Sequence, residues 1–270
     1  KYTPNSDLLR SDVNYYELTF INCLRLFKYF FNYMRRTSSS DFIVIDNRKA
    51  ACFALLFYPI IRHRIVIYDM REFYLCENYN SFRNKIGTYF ESCFVNLADL
   101  VLCANQQRAR LAKVHHNLKA KPIPTENNRQ IGGDVGIVKL DVVEEYKKII
   151  LTRSQDKERI NFVSTDGFSI ERRTPEIIEV CSQFPKKINL FIFGKNQQKA
   201  HKYIVDHDLT NVVHLGSVDG NVLGELLGLM DVGFVVYGSH DLNNSYCASG
   251  KIYEFIHLGI PVVTSDNMPL

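Results

Sequence analysis

The chain has 270 residues, 46% of them hydrophobic and 23% charged, with a formal net charge of +4 and a sequence pI of about 8.6. This length leaves room for two domains of roughly 100–200 residues, and the composition is that of a globular protein rather than a disordered one. The mild positive balance suits attraction to diphosphates or to an anionic membrane surface. It falls short of a nucleic-acid footprint, so no nucleic-acid partner is expected.

Residues 1–16 are polar and read as loop. From Glu17 to Arg36 the pattern Leu18, Ile21, Leu24, Phe27, Phe30/Phe31, Met34 predicts one amphipathic helix, with Arg25, Lys28, Arg35 and Arg36 accompanying it. Packing on a sheet is the favoured reading of this helix; peripheral contact with a membrane surface is the alternative. After the polar break at residues 37–40, Phe42 to Ile45 form a continuous apolar run of the kind buried in parallel sheets. A helix over Arg48 to Ile61 and a strand over Arg64 to Tyr68 follow, and this alternation predicts a doubly wound α/β domain.

Ligands of such sheets bind at the carboxyl ends of the strands. Asp69-Met70-Arg71-Glu72 stands there, which makes Asp69 and Glu72 the candidate catalytic carboxylates. A strand-end turn whose charges pair locally has equal standing. A helix over residues 81–97, a strand over 98–103, a helix from Gln106 to Lys113 and a short strand at Lys121 to Pro124 complete the first half. Gly132-Gly133-Asp134-Val135-Gly136 lacks G-x-G-x-x-G spacing and reads as a turn or linker. Asp141 to Leu151 reads as a linker helix, so the expected division is 1–150 and 151–270.

The second half alternates again. Strands are expected at 160–163, 188–193, 211–214, 232–236 and 261–263, with helices near 174–183, 196–207, 220–229 and 250–258. The first of these strands leads into Ser164-Thr165-Asp166-Gly167 and then Glu171-Arg172-Arg173. A guanidinium matches phosphate bidentately, although an exposed arginine pair at a helix start is an equal alternative. Phe193-Gly194-Lys195-Asn196 ends the next strand at the same edge. Tyr237 to Ala248 form a polar loop that runs into the last helix.

That helix is the most informative segment. Ser249 carries an N-cap oxygen, and Gly259 stands where a left-handed residue would end the helix. Ile252, Phe255 and Ile256 mark the buried face. A helix N-terminus at Gly250 with Lys251 in its first turn is a cradle for a diphosphate, and Glu254 one turn on could accept hydrogen bonds from sugar hydroxyls. The competing reading is a Lys–Glu surface pair worth roughly 0.2–0.5 kcal/mol.

Lys251-x-x-Glu254-x4-Gly259-x-Pro261-Val262-Val263 resembles the donor-site segment of GT-B glycosyltransferases, the family 4-like enzymes that use nucleotide sugars. The resemblance implies two Rossmann-like domains facing each other across a cleft, incomplete here at both ends. It also implies that the glutamate binds the ribose and that basic residues hold the diphosphate. On that basis the donor-binding set is Ser249, Gly250, Lys251, Glu254, Arg172, Arg173, Gly167 and Gly194. Asp69 to Glu72 resembles the Asp-x-Arg-Asp/Glu segment of some bacterial sugar transferases, and Ala98-Asp99 resembles the family's Ala-Asp approach to a strand.

The chain departs from the family in two places. No histidine stands in the Asp69 to Glu72 motif, and Tyr246 occupies the position of a second glutamate. Ser249-Gly250-Lys251 instead matches a Ser-x-Lys subgroup. The implied activity is transfer of a sugar to a glycan or lipid-linked acceptor, with retention inherited from the family. No cofactor and no metal are expected: Asp206-His207-Asp208 falls at a helix end, and no Cys/His cluster has zinc spacing. A non-catalytic scaffold and a sugar-nucleotide epimerase are the rival readings.

The seven cysteines, Cys23, Cys52, Cys76, Cys93, Cys103, Cys181 and Cys247, include no C-x-x-C pair. They predict free thiols of a reducing compartment. With no apolar run of transmembrane length and no signal peptide visible, the expected location is cytoplasmic, peripheral to the inner membrane face if it touches membrane at all.

Overall fold

The computed structural model describes residues 41–75, 81–128, 140–156 and 158–270. The expected helix at 17–36 and the turn at 132–136 lie outside the described residues. The chain divides into two compact units between Asn127 and Asn128.

The first unit runs β1 Phe42–Asp46, α1 Asn47–Ile61, β2 Ile65–Met70, α2 Phe82–Val95, β3 Leu100–Cys103, α3 Gln106–His115 and β4 Ile123–Pro124. Its sheet is parallel, in the order β1-β2-β3-β4. Each crossover steps the same way across the sheet, so right-handed connections place all three helices on one face. That face carries Ile43, Val66, Tyr68, Met70, Val101 and Cys103, all buried. The second strand continues beyond the expected Tyr68, which puts Asp69 inside the strand's last turn of pleat rather than after it.

The second unit runs α4 Leu140–Arg153, β5 Ile160–Ser164, α5 Thr174–Ser182, β6 Ile188–Phe193, α6 Gln197–Asp206, β7 Val212–Gly216, α7 Gly220–Leu227, β8 Val232–Val235, α8 Leu242–Ser245, α9 Gly250–His257 and β9 Val262–Thr264. Its parallel strands are ordered β7-β6-β5-β8-β9. The order reverses after β7, so helices cover both faces. One core joins Val163, Phe191, Phe193 and Val235 to Leu226 of α7 and Phe255 of α9. The other joins Leu190, Ile192 and Val212 to Ile177, Ile178 and Cys181 of α5.

Two expectations change here. The helix read as a linker on the first-domain side, α4, buries Val143 and Ile150 in the second unit's core. Its periodicity identified a helix but not which sheet it covers, and the chain divides before it rather than at 150/151. The stretch after β8, expected as loop, contains α8, one turn of helix whose N-cap Asp241 accepts from the Asn244 N–H at 2.7 Å.

The same device opens an inner strand in each unit. Asp99 accepts the Val66 N–H at 2.8 Å while its own N–H donates to Val66 O at 2.9 Å. Asp231 does the same with Asn161, at 2.8 and 2.9 Å. A carboxylate in place of a backbone carbonyl thus satisfies the neighbouring strand just where pairing begins. The described cysteines are free thiols, with Cys103, Cys181 and Cys247 buried. No helix of the described residues is long and apolar enough to cross a membrane.

Glu91 of α2 is the first unit's one large polar anomaly among the described residues. It is 2% exposed and accepts from the Tyr68 hydroxyl at 2.5 Å, while its second oxygen has no hydrogen-bond partner. Burial pushes its pKa up to about 7, against opposing pulls from the Tyr68 hydrogen bond and the Arg48 charge. Cys52 of α1 is the other titratable group beside it. The folded state therefore holds a proton that the unfolded chain loses near 4.5, the ordinary value. Stability from this group is full below that value, falls as pH rises toward about 7, and is gone above it. Glu91→Gln should flatten this slope and raise first-unit stability at pH 8 by up to about 3 kcal/mol. Chemical denaturation of both proteins at pH 5 and pH 8 checks it; equal pH slopes would refute the assignment.

Candidate functional site

The reversal between β5 and β8 opens a crevice at the carboxyl ends of these strands, the position where doubly wound sheets place ligands. Three segments meet there: the loop after β5, the stretch after β8, and the N-terminus of α9. Packing fixes the helix. A Cβ at Gly233 of β8 would lie 2.8 Å from the Phe255 ring, so this glycine lets α9 lie flat on the strand. At the far end Gly259 has φ +70°, and the N–H groups of Gly259 and Ile260 return to Ile256 O at 3.0 Å and Phe255 O at 2.9 Å. This is a Schellman ending. The expected buried face is narrower than its spacing suggested, because Ile256 is 62% exposed while Phe255 is buried.

Ser249 does occupy the N-cap position, but its side chain caps nothing. Its Oγ is buried without a hydrogen bond of ordinary geometry. It nevertheless lies near enough to the Tyr237 hydroxyl to lower that group's pKa against the larger effect of burial, which raises it. Thr165 Oγ1, at the end of β5, is likewise buried and unpartnered. Orphaned buried hydroxyls are uncommon enough to need a reason.

The charges converge on Asp166, whose side chain is 8% exposed. Lys251 Nζ forms an ion pair and hydrogen bond with its Oδ1. Arg172 Nε lies 3.4 Å from the same oxygen. The Lys251–Glu254 surface pair does not form; Glu254 is half-buried on the next turn. Arg172 is held on three sides. Its guanidinium carbon sits 3.8 Å from the centre of the Tyr237 ring, and its Nη1 donates to Asn244 Oδ1 at 2.8 Å. Asn244 in turn donates to Asp241 Oδ2 at 2.8 Å, and its carbonyl accepts from Asn267 Nδ2 at 3.1 Å.

The structure separates the two arginines. Arg173 is exposed, with φ 51°, at the N-cap of α5; Arg172 alone reaches the crevice charges. Gly167 and Gly194 serve each other. A Cβ on Gly167 would meet Lys195 O at 2.4 Å, and one on Gly194 would meet Gly167 N at 2.6 Å. Both have positive φ, +66° and +127°, and the Gly167 N–H donates to Phe193 O at 2.8 Å. They bring the loops after β5 and β6 into backbone contact, which seats Asp166 next to them. Gly250 is buried at the first position of α9.

At the carboxyl edge of the first unit, Asp46 and Asp69 are register partners on β1 and β2. Arg71 lies between them, its Nε 2.8 Å from Asp46 Oδ1 and 3.5 Å from Asp69 Oδ2. Burial raises both carboxyl pKa values, with Arg71 opposing it. Arg108 of α3 fixes the turn, donating to Arg71 O at 2.6 Å. Glu72 accepts from the Tyr74 hydroxyl. These charges pair locally, the alternative that the sequence left open for this turn.

Asp166, Tyr237 and Asn267 are the residues that sequence reasoning passed over. Asp166 stood in a quoted loop with nothing to mark it, since its partner Lys251 is 85 positions away.

No protein-family model matches the chain, and no curated protein matches it. Solved structures do. The Anabaena protein Alr3699/HepE, crystallised with UDP-glucose, superposes with TM-score 0.64 at 16% identity, over 87% of this chain and 62% of that one. Sucrose-phosphate synthase from Thermosynechococcus elongatus gives 0.62 at 12% identity, over 90% and 60%. The lipopolysaccharide outer core galactosyltransferase WaaB gives 0.58 at 13% identity, over 91% and 62%. The chain spans about three-fifths of the length of these proteins. It has their fold, two Rossmann-like α/β units of the GT-B type.

Asp166→Asn removes the one carboxylate that neutralises Lys251 and Arg172. Titration calorimetry with inorganic pyrophosphate should show binding tightened by about three- to tenfold, with a steeper loss on adding salt. Weaker binding would mean that the positioning of the two cations by Asp166 outweighs its competition with the ligand for them.

Proposed function

We propose that the chain belongs to a glycosyltransferase that moves a sugar from a nucleotide-sugar donor to a glycan or lipid-linked acceptor. The observation that supports this reading best is the convergence of Lys251 and Arg172 on one point. That point lies at the sheet's reversal, beside the N-terminus of α9, the unpartnered buried hydroxyl of Thr165, and the buried Ser249 hydroxyl that neighbours Tyr237. Two cations, free backbone N–H groups and hydroxyl donors are what a diphosphate requires. The fold shared with a protein crystallised with UDP-glucose supports a uridine nucleotide sugar as the donor.

The chemistry follows from charge. Cleavage of the sugar–phosphate bond leaves a diphosphate with added negative charge and an oxocarbenium-like sugar. Lys251, Arg172 and the Gly250 N–H stabilise the departing diphosphate, preorganised by Tyr237 and Asn244. Glu254, one turn deeper in α9, accepts from the ribose hydroxyls. The acceptor hydroxyl gives its proton to the donor phosphate or to a first-unit carboxylate, for which Asp69 and Glu72 are the candidates. The charge of the leaving group is met by side chains, so turnover should survive chelation of divalent metals. A cytoplasmic enzyme acting at the inner membrane face fits a lipid-linked acceptor.

Lys251→Ala and Glu254→Ala should each lower UDP-sugar affinity or turnover at least about tenfold, a loss of roughly 1.4 kcal/mol. Both are read by calorimetry with UDP-glucose and by release of UDP, with and without EDTA. Unchanged binding and turnover in both variants would reject the donor site. Binding without release of UDP in any acceptor mixture would favour the scaffold, and epimer formation without an acceptor would favour the epimerase.

A further inference from the structure

The helices of the first unit have an outer side of their own. α1 and α2 pack side by side over the sheet. The Cys52 thiol donates across to Gly87 O at 3.2 Å, and the Tyr58 hydroxyl donates to Leu97 O at 2.9 Å. Ala51, Ala54, Phe57 and Ile61 of α1 point into the core, and a surface helix ordinarily turns polar residues the other way. The opposite stripe of α1, spaced by four, three and four, is instead Lys49, Phe53, Leu56 and Ile60. On α2 the outward residues are Phe82, Ile86, Tyr89, Phe90 and Leu97, all exposed. Leu56 is 69% exposed, Phe82 78% and Tyr89 64%. Apolar side chains gathered on two adjoining helices mark an interaction surface rather than scattered exposure.

The charges around these stripes have one sign. Lys49, Lys85, Arg110 and Lys113 of α1, α2 and α3 are exposed, whereas the only carboxylate in the three helices, Glu91, is buried against Tyr68. A second copy of the same surface would set cations against cations, so charge disfavours self-association and favours an anionic partner. The other face of the sheet also exposes apolar residues, Phe42, Val44, Ile65 and Ile123. The charges at its edge are two carboxylates, Asp46 and Asp69, around one guanidinium, Arg71, which do not attract an anion. Aromatic and aliphatic residues along a helix, rimmed by lysine and arginine, are the composition that lies in the interfacial plane of an anionic bilayer. Tyr89 adds an amphipathic ring suited to headgroup depth.

We propose that the outer sides of α1 and α2 dock on a bilayer surface containing anionic phospholipid. Leu56, Phe82, Tyr89 and Phe90 enter the headgroup region, and Lys49, Lys85, Arg110 and Lys113 meet the lipid phosphates. This assigns to α1 and α2 the membrane contact that the sequence offered as an alternative for residues 17–36. Docking favours a lipid-linked acceptor over a soluble glycan, a consequence that rests on the transferase reading; the docking itself does not.

The chain contains no tryptophan, so one introduced into the full chain reports its own surroundings. With vesicles of phosphatidylcholine and phosphatidylglycerol, the emission of Leu56→Trp and of Tyr89→Trp should move to the blue and be quenched by brominated lipid. Val205→Trp, at an exposed position of α6 in the second unit, should show neither change. Lys49→Glu/Arg110→Glu should lower affinity for these vesicles at least about tenfold, and added salt should weaken binding by the unmodified chain. Leu56→Ser/Tyr89→Ser should lose vesicle binding while its affinity for UDP-glucose stays that of the unmodified chain. Vesicle binding is read without donor or acceptor, so a failed donor site leaves it unaffected. Absence of co-sedimentation with anionic vesicles would overturn the proposal, as would binding that leaves both tryptophans in water or that survives the charge reversal. A blue shift that grows with protein concentration alone would point to a second copy, and one produced equally by soluble polyglutamate to an acidic polypeptide; either would overturn it.

Discussion

Asp166 organises the second unit's crevice. Its carboxylate is withdrawn from water, which costs several kcal/mol unless opposite charge is at hand, and Lys251 and Arg172 both supply it. Two cations against one carboxylate leave the Asp166–Lys251–Arg172 cluster positive by one charge, next to the positive end of the α9 dipole. The cations are therefore positioned in advance of any ligand, without spending their positive character on a permanent one-to-one pair. An incoming diphosphate exchanges one anionic partner for another and does not have to order two loose side chains, so little side-chain entropy is lost on binding.

Backbone geometry makes that arrangement reproducible. Gly233 admits the Phe255 ring and fixes the height of α9 over β8; Gly167 and Gly194 bring two strand-end loops into contact and fix Asp166. On the far side Asn267, just after β9, braces the carbonyl of Asn244, and Asn244 braces Arg172. The loops after β5, β8 and β9 are thus tied together through side-chain amides, which offer donor and acceptor at once. In each case a small or amide residue sets the position and a charged residue does the chemistry.

Much of this was legible from periodicity. Continuous apolar runs gave the strands, and the position of Ser249, Gly250 and Gly259 gave the ends of α9 within a residue. What escaped was information that does not live in spacing. The choice between Arg172 and Arg173 depends on a left-handed turn at Arg173, which rotates one side chain inward and the other out. Ile256 fits the apolar pattern of α9 but lies past the edge of the face that β8 and β9 offer. The allegiance of α4 is a question of which sheet has an uncovered side, and a helix carries no record of that. Asp166 had no local signature, since an ion pair needs proximity only in space.

The two units also differ in how their cores are closed. Both use parallel strands, right-handed crossovers and an aspartate at the opening of an inner strand. The strand order of the second reverses, so residues 140–270 alone supply helices to both faces. The first steps one way only, and its described helices are confined to one side. Its polar accommodations lie on that covered side, where Tyr68 meets Glu91 and Ser92 meets His116, while the opposite face is almost wholly aliphatic and aromatic. A sheet surface with no polar residue short of Asp69 has no means of satisfying water. The apolar cover it requires is therefore fixed by its composition, before any partner is considered.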